Sequence, residues 1–382
     1  MIMDQEKTTK KEVGLALSGG GFRATLFHIG SLWRLNELGW LKKIDEITSV
    51  SGGSITAAFL GLHWKDLKFN SNGTAGNFKE IIVSPLREFC SKTIDVKVIV
   101  GGMLLPFVHP SDLIIKSYNN NLFHDSTLQD LPSDKEGPRF TIYATSLQTG
   151  ASVRFERPYL GDYHIGIIPS PKIPIAQAVA ASSAFPPVLC PVIIDLDPSS
   201  WKNEPGALLY NNLNLRSKLV LGDGGIYDNL GLQRICRDCE TVLVSDAGAP
   251  FEVKDCPCFI RFSLVARTLR TLDITTEQTR ALRKHKLIDE FKVKAKEGTY
   301  WGISTDIDDY ELVKNGFPGP MTNDKNTTRS MSKIRTRLNA FSEKEQGQLI
   351  NWGYALTDAA MRRHLLGKGV KPGQWPIPGY EL

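Results

Sequence analysis

Short apolar runs that end in glycine or serine turns and pass straight into helical patterns set the rhythm of the first part of the chain. VGLALS, from Val13, reads as a buried strand and leads through Gly19-Gly20-Gly21 into FRATLFHIGSLWRLNELGWL, whose apolar residues recur at helical spacing. IDEITSVSGGSITAAFLGLHW repeats the grammar: a β-branched stretch, a tight Ser/Gly turn, then an apolar helix. Two such units predict an α/β fold built on parallel strands. Strand patterns return at FTIYATSL and SVRFERP, a hairpin turning near Gly150, and a helix follows at IPIAQAVAASSA. KLVLGDGG, TVLVSDAG and CFIRFSL extend the sheet.

From Val265 onward long helical patterns dominate, and TTEQTRALRKHKLIDEFKVKAKEG carries its Lys and Arg at polar positions, as a solvated face does. The last helix opens on a capping box, Ser342 with Glu345, and places Leu349, Trp352, Leu356 and Ala360 on one face for docking. The stretch from about Trp64 to Pro138 is loop-rich and reads as a cap or insert. With no internal repeat and no long linker, the pattern predicts a disordered polar arm at residues 1–12. One domain then follows over 13–382, with its core at about 13–265 and a helical C-terminal part at about 266–382.

Charge changes this picture little. The net charge of +5 is spread among interleaved acids and bases, so nucleic acid is not implied. An anionic lipid surface suits the balance, since each nearby basic group adds on the order of 1 kcal/mol of attraction. MIMDQEKTTKKEVG lacks the apolar stretch of a secretory signal, which predicts a cytoplasmic protein. The apolar run Val98 to Val108 is shorter than the roughly 20 residues a membrane-spanning helix needs, and reads equally as a lid that meets lipid or as a core segment. The six cysteines are expected as free thiols. Cys236, Cys239, Cys256 and Cys258 could supply four thiolates for zinc. The one-residue gap of the second pair is outside the usual spacing, and the strand pattern between the pairs favours plain packing. No metal is predicted; the acidic cluster Asp306, Asp308 and Asp309 lacks the pattern of a calcium loop.

Three short motifs could carry chemistry. Ser49-Val50-Ser51-Gly52-Gly53 falls at a strand-to-helix corner, where a sharp turn would hold the Ser51 hydroxyl clear of the sheet and small neighbours would let backbones approach. Gly19-Gly20-Gly21 ahead of a helix offers backbone N–H groups to an oxyanion or a phosphate. No Gly-Lys-Ser/Thr follows as in a nucleotide-binding loop, and the dinucleotide fingerprint is only partly met, so an oxyanion hole beside Ser51 accounts for the glycines better. Asp223-Gly224-Gly225 puts an aspartate at a strand end, although Asp-Gly is also a common turn. A histidine base is not evident. His285 and His364 lie in basic helical runs and His28 sits inside the first helix, which argues for a base other than His.

Taken in order, Gly19-Gly20-Gly21-Phe22-Arg23, Ser49-Val50-Ser51-Gly52-Gly53 and Asp223-Gly224-Gly225 resemble the three signatures of the patatin-like phospholipases. Ala181-Ser182-Ser183-Ala184-Phe185-Pro186-Pro187 resembles a further stretch of that family, so the likeness covers at least residues 13–250. It departs from the pattern at Ser18, Ala24 and Ser49, where the family often has Asp, Gly and Gly.

The resemblance implies a three-layer sandwich with a mostly parallel central sheet flanked by helices. It implies a Ser–Asp dyad with Ser51 as nucleophile and Asp223 as base, and an oxyanion hole at Gly19, Gly20 and Gly21. Arg23, Ser49, Gly53, Gly224 and Gly225 would support these, with Arg23 bracing the loop or meeting a lipid phosphate. The implied activity is phospholipase A-type hydrolysis of glycerophospholipid acyl esters through an acyl-enzyme, without a cofactor. The enzyme would work peripherally at the inner face of the membrane, against a phospholipid surface. A thioesterase or carboxylesterase is the alternative within enzymes. A latent membrane-targeting defence effector switched on by a small-molecule activator is the alternative outside them, and a homo-oligomer is left open.

Overall fold

The computed structural model describes residues 11–94, 109–253 and 263–382. Among these residues ten strands form one sheet: β1 (Lys11–Leu17), β2 (Glu46–Val50), β3 (Arg139–Ser146), β4 (Ser152–Phe155), β5 (Tyr159–Asp162), β6 (Gly166–Pro169), β7 (Val192–Asp195), β8 (Lys218–Asp223), β9 (Cys239–Asp246) and β10 (Glu297–Gly302). The helices used below are α1 (Gly21–Glu37), α2 (Gly52–Leu62), α3 (Ile175–Ser182), α4 (Leu264–Lys292) and α5 (Glu343–Met361).

β10, β9, β1, β2 and β3 run parallel in that order, and β4, β5 and β6 extend the sheet antiparallel beyond β3. The sheet is therefore mixed rather than mostly parallel. The parallel part is the part made by βα crossovers, which need a helix per step, whereas the hairpins after β3 need only tight turns. β1 begins at Lys11, inside the stretch expected as a disordered arm, because the Asp45 carboxylate accepts the Glu12 and Val13 N–H groups at 2.8 and 2.9 Å.

Alternation along the central strands sends side chains to two cores. Val13, Leu15 and Leu17 of β1 and Leu243 of β9 join the large core under α1 and α2, while Ala16, Val242 and Val244 join a smaller one with Leu287 of α4. Two apolar faces on one sheet are what a three-layer arrangement requires. α1 is buried on nearly all sides because α5 packs across its outer face. At the crossing, a Cβ on Gly353 would lie 2.0 Å from the Phe27 carbonyl oxygen and one on Gly30 would lie 1.9 Å from that of Ile350, so the two backbones touch.

The C-terminal part is not wholly helical, since it contributes edge strand β10 through the run Gly298-Thr299-Tyr300-Trp301. The capping box forms as the pattern predicts, with Glu345 N–H donating to Ser342 Oγ at 3.3 Å and Ser342 N–H to Glu345 Oε2 at 2.8 Å. The apolar run Val98 to Val108 and most of CFIRFSL lie outside the described residues. Among the described residues no helix is long and apolar enough to cross a membrane.

The ends of two strands position the candidate site. β2 ends at Val50, opposite Tyr143 of β3, and β8 ends at Asp223, opposite the next residue, Ala144. Ala144 pairs with β4 on its other side, so β2 and β8 occupy the same edge of β3 and run toward each other end to end. The turns that leave these two strands must meet.

Candidate active site

Ser51 follows β2 directly and adopts φ 51° and ψ −121°, a left-handed strained conformation that a non-glycine residue holds only when its surroundings fix it. The fixing contacts are visible. Ser51 N–H donates to Ser182 Oγ at 2.9 Å, and Ser182 Oγ lies 2.9 Å from Ser54 Oγ, which in turn donates to Ser49 Oγ at 3.1 Å. Ser49 closes the chain by donating to the Thr141 carbonyl at 3.2 Å, so the hydroxyl that replaces a glycine here ties the elbow to β3. Gly52 sits so close to the glycine loop that a Cβ on it would lie 2.1 Å from the Gly21 carbonyl oxygen, and Gly53 is similarly pressed against Leu17.

The glycine loop turns from β1 into α1 with Gly20 at φ 146° and Gly21 at φ 56°. Among the described residues the N–H groups of Gly20, Gly21 and Gly52 have no acceptor, and they cluster at the N-termini of α1 and α2, where helix dipoles favour negative charge. Gly19 differs from the expectation of a third donor: its N–H is taken by the Asn229 carbonyl at 3.1 Å. Arg23 is buried and donates to the carbonyls of Ser332 (3.0 Å), Ile334 (2.8 Å) and Ala247 (2.7 Å), so it braces the loop and has no face toward a lipid phosphate. Burial, with a smaller effect from the nearby Arg280 charge, lowers its pKa to about 10. Ser18 completes the brace by accepting the Ala247 N–H at 2.7 Å.

Asp223 arrives from the opposite direction on β8, 3% exposed. Its backbone is held by Asp223 N–H to the Ala184 carbonyl (2.9 Å) and by the Thr145 hydroxyl to its own carbonyl (2.8 Å), while Gly224 N–H donates to the Ser182 carbonyl (3.1 Å). The Ala181-Ser182-Ser183-Ala184 stretch thus grips both the elbow and the aspartate turn. Burial pushes the Asp223 carboxyl up to about 7, against the downward pull of the Gly225 N–H at 2.7 Å and of the Ser51 hydroxyl, both of which favour its charged form.

Ser51, Asp223 and the three glycines line one cavity of about 710 Å³. One wall is apolar, Phe185 to Leu189, directly after the Ala-Ser-Ser-Ala stretch. The other comes from the C-terminal part, which sequence patterns did not connect to the site: Arg270, Thr276 and Arg280 of α4, and Thr336, Arg337 and Leu338 beyond it. Among the described residues no histidine lines the cavity. His28 is buried, with Nδ1 2.8 Å from Ser245 Oγ and Nε2 2.9 Å from the Ser18 carbonyl oxygen, and burial lowers its pKa to about 4. His285 and His364 are exposed elsewhere. Cys236 and Cys239 are held up at about 12 by burial and Cys239 packs against Gly14; Cys256 and Cys258 lie outside the described residues. Among the described residues no cluster of three or more metal-ligating side chains forms.

Such a site offers a strained serine at the cavity wall, a neighbouring carboxyl poised near neutrality and unpaired N–H groups, the components of acyl transfer. Comparison with known proteins bears on this directly. A family model described as patatin-like phospholipase matches residues 15–234. Human GIVD cytosolic phospholipase A2 in complex with methyl gamma-linolenyl fluorophosphonate has a similar fold, with a TM-score of 0.50 and 15% identity, covering 94% of this chain and 59% of that one. VipD from Legionella pneumophila aligns with a TM-score of 0.36 and 14% identity, over 91% of this chain and 66% of that one. The chain thus spans 59% of the length of the human structure. No curated protein matches.

Proposed function

Since the chain belongs to the patatin-like phospholipase family, we propose that it is a serine lipid acyl hydrolase of the phospholipase A type, with Ser51 as nucleophile and Asp223 as its base. The carrying observation is the meeting of a strained Ser51 with a buried Asp223 whose carboxyl is raised to about 7, which makes it a far better proton acceptor than an ordinary carboxylate.

In the first step Ser51 Oγ attacks the ester carbonyl carbon and its proton passes to Asp223. The carbonyl oxygen becomes an oxyanion facing the Gly20, Gly21 and Gly52 N–H groups, each such donor being worth on the order of 3 kcal/mol in hydrolases of known mechanism. The tetrahedral intermediate collapses, Asp223 returns the proton to the departing glycerol oxygen, and an acyl-Ser51 ester remains. Water then attacks this ester by the same route in reverse and frees the fatty acid. The apolar wall from Phe185 to Leu189 suits an acyl chain.

The rim suits a phospholipid surface. Phe251, at the cavity, is 40% exposed and lies under the Arg270 guanidinium at 4.0 Å, and Val253, Leu264 and Val265 nearby in the chain are 84%, 71% and 58% exposed. Exposed apolar side chains mixed with arginines are the composition of a peripheral lipid contact. The test is to incubate wild type, Ser51→Ala and Asp223→Ala with mixed phospholipid vesicles and measure fatty acid and lysolipid by mass spectrometry. Release that disappears in both folded variants supports the dyad. Release unchanged in either variant removes that residue from the mechanism, and an inert wild type counts against the phospholipase reading.

A further inference from the structure

Asn229 sits where the glycine loop and the aspartate turn come closest. Its backbone carbonyl takes the Gly19 N–H at 3.1 Å. Its carboxamide lies between the two loops: Cβ atoms placed on Gly19 and Gly225 would fall 2.4 and 2.6 Å from Asn229 Oδ1, the first of them also 3.1 Å from Ser51 Cβ and the second 3.0 Å from Asp223 Oδ1. One side chain therefore touches the loop that would hold the oxyanion and the turn that carries the base, within a contact shell of the nucleophile.

Asn229 is also rigidly held, and its carboxamide is unpartnered among the described residues. The position is rigid, because the preceding Asp228 carboxylate accepts the N–H groups of Leu230 (3.1 Å), Leu232 (2.9 Å) and Gln233 (3.2 Å) and faces Arg283 at 3.5 Å. Asn229 lines the cavity, is half-buried, and its carboxamide makes no hydrogen bond within the described residues. A primary amide has two donors and an acceptor oxygen, and with a glycine on either side no protein side chain stands between it and the two loops. A small apolar residue would fill the gap between two glycines at lower cost if space-filling were all that was needed.

We propose that Asn229 is a catalytic residue of the second half-reaction, holding the water that Asp223 activates against the acyl-Ser51 ester. The proposal rests on the serine hydrolase reading above. In that step the amide binds the water, the Asp223 carboxylate takes one of its protons, and the water oxygen bonds to the acyl carbon. The bond from that carbon to Ser51 Oγ then breaks, and Ser51 recovers the proton from Asp223. The first half-reaction needs no water and so should not need the amide.

The experiment separates the two halves. Wild type, Ser51→Ala, Asn229→Ala and Asn229→Ser are mixed with a 4-nitrophenyl fatty-acyl ester in detergent micelles, reading the nitrophenol burst, the steady rate, and acyl-enzyme by intact mass. In Asn229→Ala the burst is expected to stay within about threefold of wild type, while the steady rate falls about 10- to 100-fold, the usual cost of a misplaced reactant. Acyl-Ser51 should accumulate, and Asn229→Ser, whose hydroxyl can still bind water, should recover part of the steady rate. A steady rate equal to wild type, or burst and steady rate falling together in both folded variants, would overturn the assignment and leave Asn229 a spacer. Wild type without nitrophenol release, or Ser51→Ala as active as wild type, would instead count against the serine hydrolase reading.

Discussion

A carboxyl can serve a hydroxyl as base only if its environment disfavours the charged form, and the residues around Asp223 do so by excluding water from all but a sliver of it. The sign follows: the base must be deprotonated, so activity should rise with pH through the folded-state value of about 7 and be lost below it. At pH 5 kcat/KM on a vesicle or micellar ester is expected near 1% of its plateau, about tenfold less for each pH step below that value. A profile that stays flat down to about pH 4, the ordinary carboxylate range, would show that Asp223 is not the titrating base. Ser51, Asp223 and the glycines were legible in the sequence because each sits in a short motif whose small residues have a mechanical reason to be there. Asn229 was not, since a single asparagine has no periodicity and its partner Gly19 lies 210 residues away; Ser182 stood out within the Ala-Ser-Ser-Ala stretch, but its bond to Ser51, 131 residues away, did not. The unavailability of the Gly19 N–H was hidden for the same reason.

At the scale of elements, the two opening βα units could be read from their periodicity, and so could the capped final helix. The direction of β8 could not. KLVLGD looks the same whether it lies parallel or antiparallel, and only the pairing of Asp223 with Ala144 makes it run into the end of β2. The crossing of α1 by α5 was likewise invisible, because Gly30 and Gly353 each look like an isolated helix glycine until their backbones meet. That contact supports the site, since α1 begins at the glycine loop and its outer face is covered by α5. Gly353→Ala must part the helices, as its Cβ would lie 2.0 Å from the Phe27 carbonyl oxygen, with no flexible side chain to give way. A loss of roughly 2–4 kcal/mol is expected, at or somewhat beyond ordinary overpacking. Urea denaturation would measure it, and an unchanged midpoint would mean the helices slide apart freely.

For the whole molecule, the family-matched segment ends at residue 234, yet the site does not. Arg280 of α4 donates to Asp246 at 2.7 Å, to the Ala249 carbonyl at 2.9 Å and to the Gly248 carbonyl at 3.3 Å, and Arg23 holds the Ala247 carbonyl between them, so the long helix, the turn after β9 and the glycine loop form one connected brace. The sequence did not disclose this, because α4 is polar along most of its length and reads as a solvated face. Its first turns carry Leu264 and Val265 into solvent, close in sequence to the Arg270 that covers Phe251 at the cavity. Fully burying one such aliphatic side chain is worth about 1.5–3 kcal/mol, so on the proposed reading even partial insertion of the two would add to attraction toward a lipid surface. Val253 and Val265 do not line the cavity, so charge placed there should alter docking without altering chemistry. The double variant Val253→Asp, Val265→Asp is expected to lose about 10- to 100-fold in co-sedimentation with anionic phospholipid vesicles, each lost apolar contact being compounded by repulsion from the lipid charge. Its hydrolysis of a monomeric short-chain ester should stay within about twofold of wild type, as no cavity contact changes. Vesicle binding at the wild-type level would place the lipid contact on another face, and equal losses on vesicles and on the monomeric ester would mean that these side chains hold the site together rather than dock it.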